Sequence, residues 1–376
     1  MTLDQARDLF PHIKKNKIYF NHAATGPFSK NVLNAVNDYL LQRSETDIDN
    51  FPELLKVTAE IKHYLAQMLN CSNEHIAFVE NTSNGMNILA QGIKLQKGDS
   101  IILNDLEFPA NVYPFLNLEK EGIIVEFVKS RDGIVSAEDV LESIKPNTKL
   151  ISISFVQFLT GYKVDLEKIG KVCDEKGIYF SVDAIQGLGA FTLDVKKCKI
   201  DFISCGTAKW LLGMQGFAFI YVSEKLQQVL QPKYVGWLSV DEAWNLLDFN
   251  LKLKKTAETF QTGTINSLGA FGLLPSLKLF ADFGYENVER RIVDNSSHFI
   301  KKLLEIGIYP VLKDCEKDNL SGIVSFKHVN SRNILEELKK KEIYCSVREG
   351  MVRLSPHFYN TLDEIDQVVA EISKIL

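Results

Sequence analysis

The chain has 376 residues, of which 45% are hydrophobic, 24% are charged and 10% are aromatic, and this composition excludes a disordered protein. The formal net charge of -5 excludes the basic surface needed to bind nucleic acid or an anionic membrane as a main role. The length exceeds what a single hydrophobic core usually spans, so we expect two domains.

The beginning of the chain and its cysteines indicate a cytoplasmic protein. MTLDQARDLF lacks the uninterrupted apolar stretch of a secretory signal, and no segment reaches the length of a transmembrane helix. The six cysteines form no CxxC pair and no cluster with histidine at metal-ligand spacing. We therefore expect a reducing environment, no membrane and no metal.

Helices and one unusual loop are predicted for the first part of the chain. A short helix is expected before Pro11, and apolar residues at helical spacing predict surface helices over 30–43 and 53–69. The segment KIYFNHAATGPFS passes from an apolar run into small residues, Gly26 and Pro27. This pattern is typical of a loop with special backbone requirements.

From residue 75 onward, strands and helices alternate. Two of the intervening helices have clear boundaries, one beginning with a capping box of Ser136 and Asp139 and another ending at Gly177. Because the strands are apolar on both faces, we expect an α/β fold with a mostly parallel seven-stranded sheet covered by helices on each side. The predicted strands are 75–80, 100–105, 123–128, 149–156, 178–183, 200–205 and 217–222.

The alternation stops after the seventh strand. Residues 224–266 read as a connection, and from Ser267 a long helical run leads into three strands with helices between and after them. We therefore predict a large α/β domain over 15–266 and a small C-terminal α+β domain over 267–376, with residues 1–14 packing nearby.

A lysine and an aspartate follow two of the apolar strands. Lys209 comes directly after the run that ends in Gly206 and Thr207, where burial would lower its pKa and suit it to imine formation with a carbonyl group. Asp183 ends the strand IYFSVD, and a buried carboxylate needs a cationic partner such as a protonated pyridine nitrogen. The alternatives are a solvated lysine and a helix-capping aspartate.

Three other strand ends carry groups that suit the same ligand. Thr82 and Ser83 open a helix whose free N–H groups form an anion site, Phe108 is placed to stack on a flat ring, and Gln157 is placed to bond a ring oxygen. The alternatives are a plain helix cap and a core phenylalanine. Since ligands of such sheets bind beyond the carboxyl ends of the strands, the set predicts pyridoxal 5′-phosphate as the cofactor.

The motifs HAATGPFS, NTSNGMN, EFPAN, VDAIQ, AKWLLG, TGTIN and VRLSPHFYNT together resemble the class V aminotransferase family of fold type I pyridoxal-phosphate enzymes, which includes cysteine desulfurases. The resemblance spans nearly the whole chain and implies a homodimer with a shared active site. The resemblance implies that Lys209 forms the Schiff base with the cofactor and that Lys209 is the catalytic residue. The other cofactor-binding residues that it implies are Thr82, Ser83, Phe108, Gln157, Asp183, Gln186, Thr207 and, toward the partner subunit, Thr264. The substrate-binding residues that it implies are Arg353, Arg348 and His22.

The sequence departs from the desulfurase pattern at three places. The stretch EGMV between Arg348 and Arg353 contains no cysteine, and Phe108 and Ala208 stand where desulfurases have histidines. We therefore predict an aminotransferase that acts on an amino acid and a keto acid through a lysine-bound internal aldimine. An epimerase or lyase of the same family and a noncatalytic α/β binding protein are the alternatives, and a cysteine desulfurase is disfavoured.

Overall fold

A computed structural model describes residues 1–376 and contains one large sheet and two small ones. The twelve strands are β1 (Ile18–Tyr19), β2 (Ile76–Val79), β3 (Ser100–Asn104), β4 (Ile124–Val128), β5 (Thr148–Ser154), β6 (Tyr179–Asp183), β7 (Phe202–Gly206), β8 (Ala218–Val222), β9 (Val324–Lys327), β10 (Ile343–Tyr344), β11 (Ser346–Arg348) and β12 (Met351–Leu354). All seven strands predicted for the large sheet are present, each within two residues of the expected bounds.

The seven-stranded sheet has the order β2-β8-β7-β6-β5-β3-β4, and four of its six pairings are parallel. The prediction of a mostly parallel α/β sheet is therefore confirmed. The parallel strands β3, β5, β6 and β7 end at one edge, so the residues that follow them converge there.

Twelve helices cover and extend the sheets. They are α1 (Leu3–Arg7), α2 (Lys30–Glu45), α3 (Phe51–Leu69), α4 (Thr82–Gly92), α5 (Tyr113–Leu116), α6 (Ala137–Glu142), α7 (Leu166–Lys176), α8 (Glu224–Gln227), α9 (Ser267–Phe283), α10 (Tyr285–Glu305), α11 (Ser331–Lys340) and α12 (Leu362–Ile375). The capping box of Ser136 and Asp139 begins α6, and Gly177 ends α7 in the left-handed conformation, as the sequence predicts. None of the helices is both long enough and apolar enough to cross a lipid bilayer.

The N-terminal segment packs against the C-terminal part of the chain. β1 pairs in parallel with β10, and the Arg7 guanidinium bonds the Tyr359 carbonyl and the Glu364 carboxylate. These contacts agree with the expected packing of residues 1–14, but β1 lies inside the range 15–266 that we assigned to the large domain. The domain boundaries stay a prediction.

Helix α4 lies unusually close to the sheet at Gly85. A Cβ atom added to Gly85 would lie 2.2 Å from the Ser204 Oγ on β7 and 2.8 Å from the Ile220 Cγ2 on β8, so only glycine permits this approach. The Ser204 hydroxyl also donates to the Thr82 carbonyl at 3.0 Å. The beginning of α4 is thereby held against the end of β7.

We expect Gly85→Ala to destabilise the protein although alanine is the better helix former. The propensity gain is about 0.5–1 kcal/mol, whereas overpacking a tight contact costs about 1–3 kcal/mol, so the net loss should be about 1 kcal/mol or more. Urea unfolding measures this change. Asn87→Ala is the matched control, because the Asn87 side chain bonds only the Ser83 carbonyl of the same helix. Equal stability of Gly85→Ala and the wild type would contradict the close packing.

Candidate active site

Lys209 lies in the loop after β7 and its amine has no partner in the chain. The side chain is half-buried, and Nζ makes no hydrogen bond and no ion pair, although it lies 5.6 Å from the centre of the Phe108 ring. Burial lowers the pKa of Lys209, the Asp183 charge opposes this effect, and the charges of Arg353 and Arg348 add to it. The amine is therefore neutral at a lower pH than that of a solvated lysine.

The backbone on both sides of Lys209 is held in place. The Ala208 carbonyl accepts from the Gly26 N–H at 2.8 Å, and the Trp210 carbonyl accepts from the His357 Nε2 at 2.9 Å. The Trp210 side chain is fully buried and its Nε1 donates to the Gln186 Oε1 at 2.8 Å. These hydrogen bonds therefore fix the backbone of the loop that carries Lys209.

The Gln186 amide helps to hold the loop that carries Lys209 in place. Besides accepting from Trp210, it donates through Nε2 to the Ala23 carbonyl at 3.0 Å. Its second N–H hydrogen is the one that remains for a cofactor oxygen. The assignment of Gln186 to cofactor binding stays a prediction.

Asp183 ends β6 as a buried carboxylate with a free oxygen. Its Oδ1 accepts from the Ile185 N–H at 3.0 Å, while its Oδ2 has no hydrogen-bond partner in the chain. Burial raises the pKa of Asp183, and the nearby Glu107 charge raises it further. A cationic N–H group at Oδ2 would satisfy the free oxygen and keep the carboxylate ionised.

Glu107 is a residue that sequence reasoning missed. It is buried and accepts from the Asn104 Nδ2 at 2.5 Å, the Asn111 Nδ2 at 3.0 Å, and the Ser154 N–H and hydroxyl at 2.8 and 2.5 Å. Burial raises the pKa of Glu107 and the four donors oppose this effect. Glu107 directly precedes Phe108 in the chain and bonds Ser154 of β5, so it positions the loop that carries the Phe108 ring. An acidic residue in the loop shortly after an apolar strand was the available signal.

Helix α4 begins with an anion-binding geometry. The Asn81 side chain caps the Asn84 N–H, which leaves the N–H groups of Thr82 and Ser83 without partners in the helix. The Thr82 hydroxyl accepts from the Gly206 N–H at 3.0 Å, so its own hydrogen remains available to an anion. Ser83 is exposed and its hydroxyl makes no bond in the chain.

Phe108 and Gln157 also present unpartnered groups. Phe108 is 44% exposed, which contradicts the alternative of a core side chain, and its ring meets Phe158 edge-on with the ring centres 5.3 Å apart. Gln157 is buried, its Oε1 accepts from the Thr160 hydroxyl at 3.2 Å, and its Nε2 has no partner in the chain.

Arg353 is a buried cation without an acidic partner. The side chain is 2% exposed, Nη1 donates to the Phe158 carbonyl at 2.6 Å, and Nε donates to the Ser346 hydroxyl at 3.3 Å. Burial lowers the pKa of Arg353 to about 10, and the Arg348 charge adds to the effect. An uncompensated guanidinium here suits the binding of a carboxylate.

Two of the predicted site residues have side chains that are bonded within the chain. His22 is fully buried, its Nδ1 donates to the Ser355 carbonyl at 2.8 Å, and its Nε2 accepts from the Tyr359 hydroxyl at 2.7 Å. The Thr207 hydroxyl donates to the carbonyls of Met214 and Phe217. The assignments of His22 to the substrate and of Thr207 to the cofactor stay predictions.

The loop between Arg348 and Arg353 is a tight hairpin turn. β11 and β12 are joined by Glu349 and Gly350, both with positive φ, which is the two-residue hairpin geometry. The neighbouring Cys345 is buried, and burial raises the pKa of its thiol to about 12. The prediction that Cys345 packs is confirmed, and the raised pKa of its thiol makes it a poor nucleophile.

Thr264 lies apart from the lysine loop. It is exposed, makes no hydrogen bond, and lines a cavity of about 400 Å³ together with Glu80, Asn84 and Asn266. A contact from Thr264 to a second subunit stays a prediction.

Comparisons with known proteins agree with this geometry. A Bacillus subtilis protein named "Uncharacterized aminotransferase YcbU" is 26% identical, with 98% of this chain and 97% of that protein covered. A "Probable cysteine desulfurase" of Pyrococcus abyssi is 29% identical over 96% of this chain and 94% of its own. The fold matches the apo structure of the cysteine desulfurase from Thermococcus onnurineus with a TM-score of 0.88, at 24% identity over 99% and 97% of the two chains.

The family model "Aminotransferase class-V" matches residues 18–368. Such coverage leaves no support for a noncatalytic binding protein. With Lys209, Asp183 and the beginning of α4 at one sheet edge, the chain belongs to the class V aminotransferase family of pyridoxal-phosphate-dependent enzymes.

Proposed function

We propose that this protein transfers the amino group of an amino acid to a keto acid. The observation that carries the proposal is the Arg353 guanidinium, which is buried without an acidic partner and whose charge acts on the Lys209 amine. A carboxylate bound at Arg353 would bring the adjoining Cα and its amino group toward the lysine.

The unpartnered groups at the sheet edge fit pyridoxal 5′-phosphate. The Asp183 Oδ2 suits a protonated ring nitrogen, the Phe108 ring suits a flat heterocycle, and the Thr82 hydroxyl with the N–H groups of α4 suits a phosphate. We assign Ser83 to the same phosphate, and Gln157 and Gln186 to the ring oxygen. Each assignment matches a free donor or acceptor of the chain to a complementary group.

The residues divide the chemistry among them. When bound, the cofactor supplies an aldehyde that condenses with amines and a ring that withdraws electrons. Lys209 would hold the cofactor through Nζ, and its free amine would be the base that takes the Cα proton of the substrate. Asp183 would keep a proton on the ring nitrogen, and Arg353 would fix the face of Cα that the lysine meets. The low pKa of Lys209 favours its neutral, proton-accepting form.

The hairpin between β11 and β12 argues against cysteine desulfuration. Relatives carry the name probable cysteine desulfurase, but the turn here holds only Glu349 and Gly350 and offers no nucleophilic thiol. Epimerisation and elimination begin with the same loss of the Cα proton, so an epimerase or lyase is the alternative. The family model and the relative named as an aminotransferase favour amino transfer.

We further propose that the enzyme is a cytoplasmic homodimer in which Thr264 bonds the cofactor phosphate of the partner subunit. The exposure of Thr264 and its unbonded hydroxyl support this arrangement. The absence of any disulfide among six free cysteines suits a reducing compartment.

Lys209 should be the only site of covalent cofactor attachment. Borohydride reduction of the protein loaded with pyridoxal phosphate should trap the cofactor on the peptide that contains Lys209, as read by mass spectrometry. Lys209→Ala should abolish the labelling, whereas Lys197→Ala, which changes an exposed lysine paired with Glu167, should leave it intact. Labelling of Lys209→Ala at the wild-type level would contradict the assignment.

The rate of cofactor attachment should depend on pH in a way that reports the pKa of Lys209. Because the neutral amine reacts, the rate should rise with pH and level off well below the usual lysine pKa of about 10.4. Arg353→Gln removes a nearby positive charge, stabilises the ammonium form and should move the midpoint to higher pH. Stopped-flow absorbance of the apoprotein mixed with cofactor measures the profile. Arg131→Gln, an exposed arginine paired with Asp139, should leave the midpoint unchanged.

A screen of amino acids against keto acids tests the reaction itself. We expect formation of a new amino acid from the keto acid, with Arg353→Gln lowering kcat/KM by about 10- to 100-fold because a charge-assisted pair is lost. Exchange of the Cα proton in deuterium oxide without amino transfer would support the epimerase or lyase. Release of sulfur from cysteine as the main activity would overturn the proposal.

A further inference from the structure

The hairpin of β11 and β12 places two arginines on one face. Ser346 pairs with Arg353 across the strands, and Arg348 pairs with Met351. Because alternate residues of a strand point to the same side, these four side chains share a face. The bond from the Arg353 Nε to the Ser346 Oγ is the direct evidence of that shared face.

The tight turn holds the two arginines as diagonal neighbours. With only two residues between the strands and no bulge, the register leaves one cross-strand pair, Val347 with Val352, between Arg348 and Arg353. Such diagonal positions are about 7–8 Å apart, a separation that two carboxylates of one small molecule span. A longer loop would have allowed Arg348 to turn away.

Neither arginine has an acidic partner. Arg353 donates to the Phe158 carbonyl and to a hydroxyl, and Arg348 donates only to its own neighbouring Val347 carbonyl. Two other arginines, Arg7 and Arg131, do pair with acids. Arg353 reaches the segment that carries Gln157 through its bond to the Phe158 carbonyl, and the positive charges of both Arg348 and Arg353 act on Lys209.

The two arginines differ in depth. Arg353 is 2% exposed, whereas Arg348 is exposed to solvent. A substrate that enters with its α-carboxylate at Arg353 would therefore extend its side chain toward Arg348. A guanidinium at that point favours an oxyanion over a neutral group.

We infer that the substrate is a dicarboxylic amino acid, with its α-carboxylate at Arg353 and its side-chain carboxylate at Arg348. This inference rests on the proposed function for the identity of the α-carboxylate site. It assigns to Arg348 a role in substrate specificity. The reaction at Cα does not itself require Arg348.

Binding of nonreacting acids to the cofactor-loaded enzyme tests the anion sites without turnover. Glutarate, with two carboxylates, should bind more tightly than butyrate, which has one, as measured by titration calorimetry. Arg348→Gln should weaken glutarate binding by about 10- to 100-fold more than it weakens butyrate binding. Arg332→Gln is the matched control, because Arg332 is exposed beside Val347 on the other face of the hairpin.

Kinetics with glutamate and its neutral amide, glutamine, complete the test. Arg348→Gln should lower kcat/KM for glutamate by about 10- to 100-fold more than it lowers the value for glutamine, while Arg348→Lys should retain part of the preference. Equal binding of glutarate and butyrate by the wild type, or equal effects of Arg348→Gln on both acids, would overturn the inference.

The failures of the two proposals are distinguishable. Amino transfer from neutral amino acids with no dependence on Arg348 would overturn the dicarboxylate inference and leave the aminotransferase in place. Absence of amino transfer from every donor, together with glutarate binding that depends on Arg348, would overturn the aminotransferase and uphold the site for two carboxylates.

Discussion

The cost of burying unpaired charge is the constraint on which this site depends. Asp183 and Arg353 are buried and Lys209 is half-buried at one edge of the sheet, and none of them forms an ion pair within the chain. An unpaired buried ion costs several kcal/mol, so the fold must hold these groups in place with the stability of its other parts. A protonated ring nitrogen would compensate the charge of Asp183, and a substrate carboxylate would compensate the charge of Arg353.

The support for that arrangement lies in apolar and neutral polar packing. Trp210 is buried in the core next to Lys209. Its indole N–H donates to Gln186, and its carbonyl accepts from His357. His22 belongs to the same layer through its bonds to Ser355 and Tyr359. Because burial holds the pKa of both histidines below the ordinary value, these rings are neutral and leave the charge of the site to the lysine, the aspartate and the arginines.

Two contacts with the sheet position the beginning of α4 and the Phe108 ring. The absence of a side chain at Gly85 lets α4 rest on β7, which directs the N–H groups of its first turn toward the lysine loop. Glu107 bonds β5 through Ser154 and so fixes the position of Phe108. The beginning of α4 and the Phe108 ring are thus attached to β7 and β5, two strands of one sheet that are separated by β6.

The sequence by itself determined the elements and the strand ends at which Lys209, Asp183, Thr82 and Phe108 lie, because hydrophobic periodicity, helix caps and turn residues act over a few positions. Only the tertiary structure decided which polar atoms remain free. Thr207 and His22 look like site residues along the chain, yet their hydrogen bonds go to carbonyls and a hydroxyl brought close by folding. The unpaired state of Arg353, the four donors around Glu107 and the shared face of Arg348 with Arg353 arise from contacts that no local pattern encodes. Hydrogen bonding and charge compensation depend on distance in space, whereas local sequence patterns report only distance along the chain.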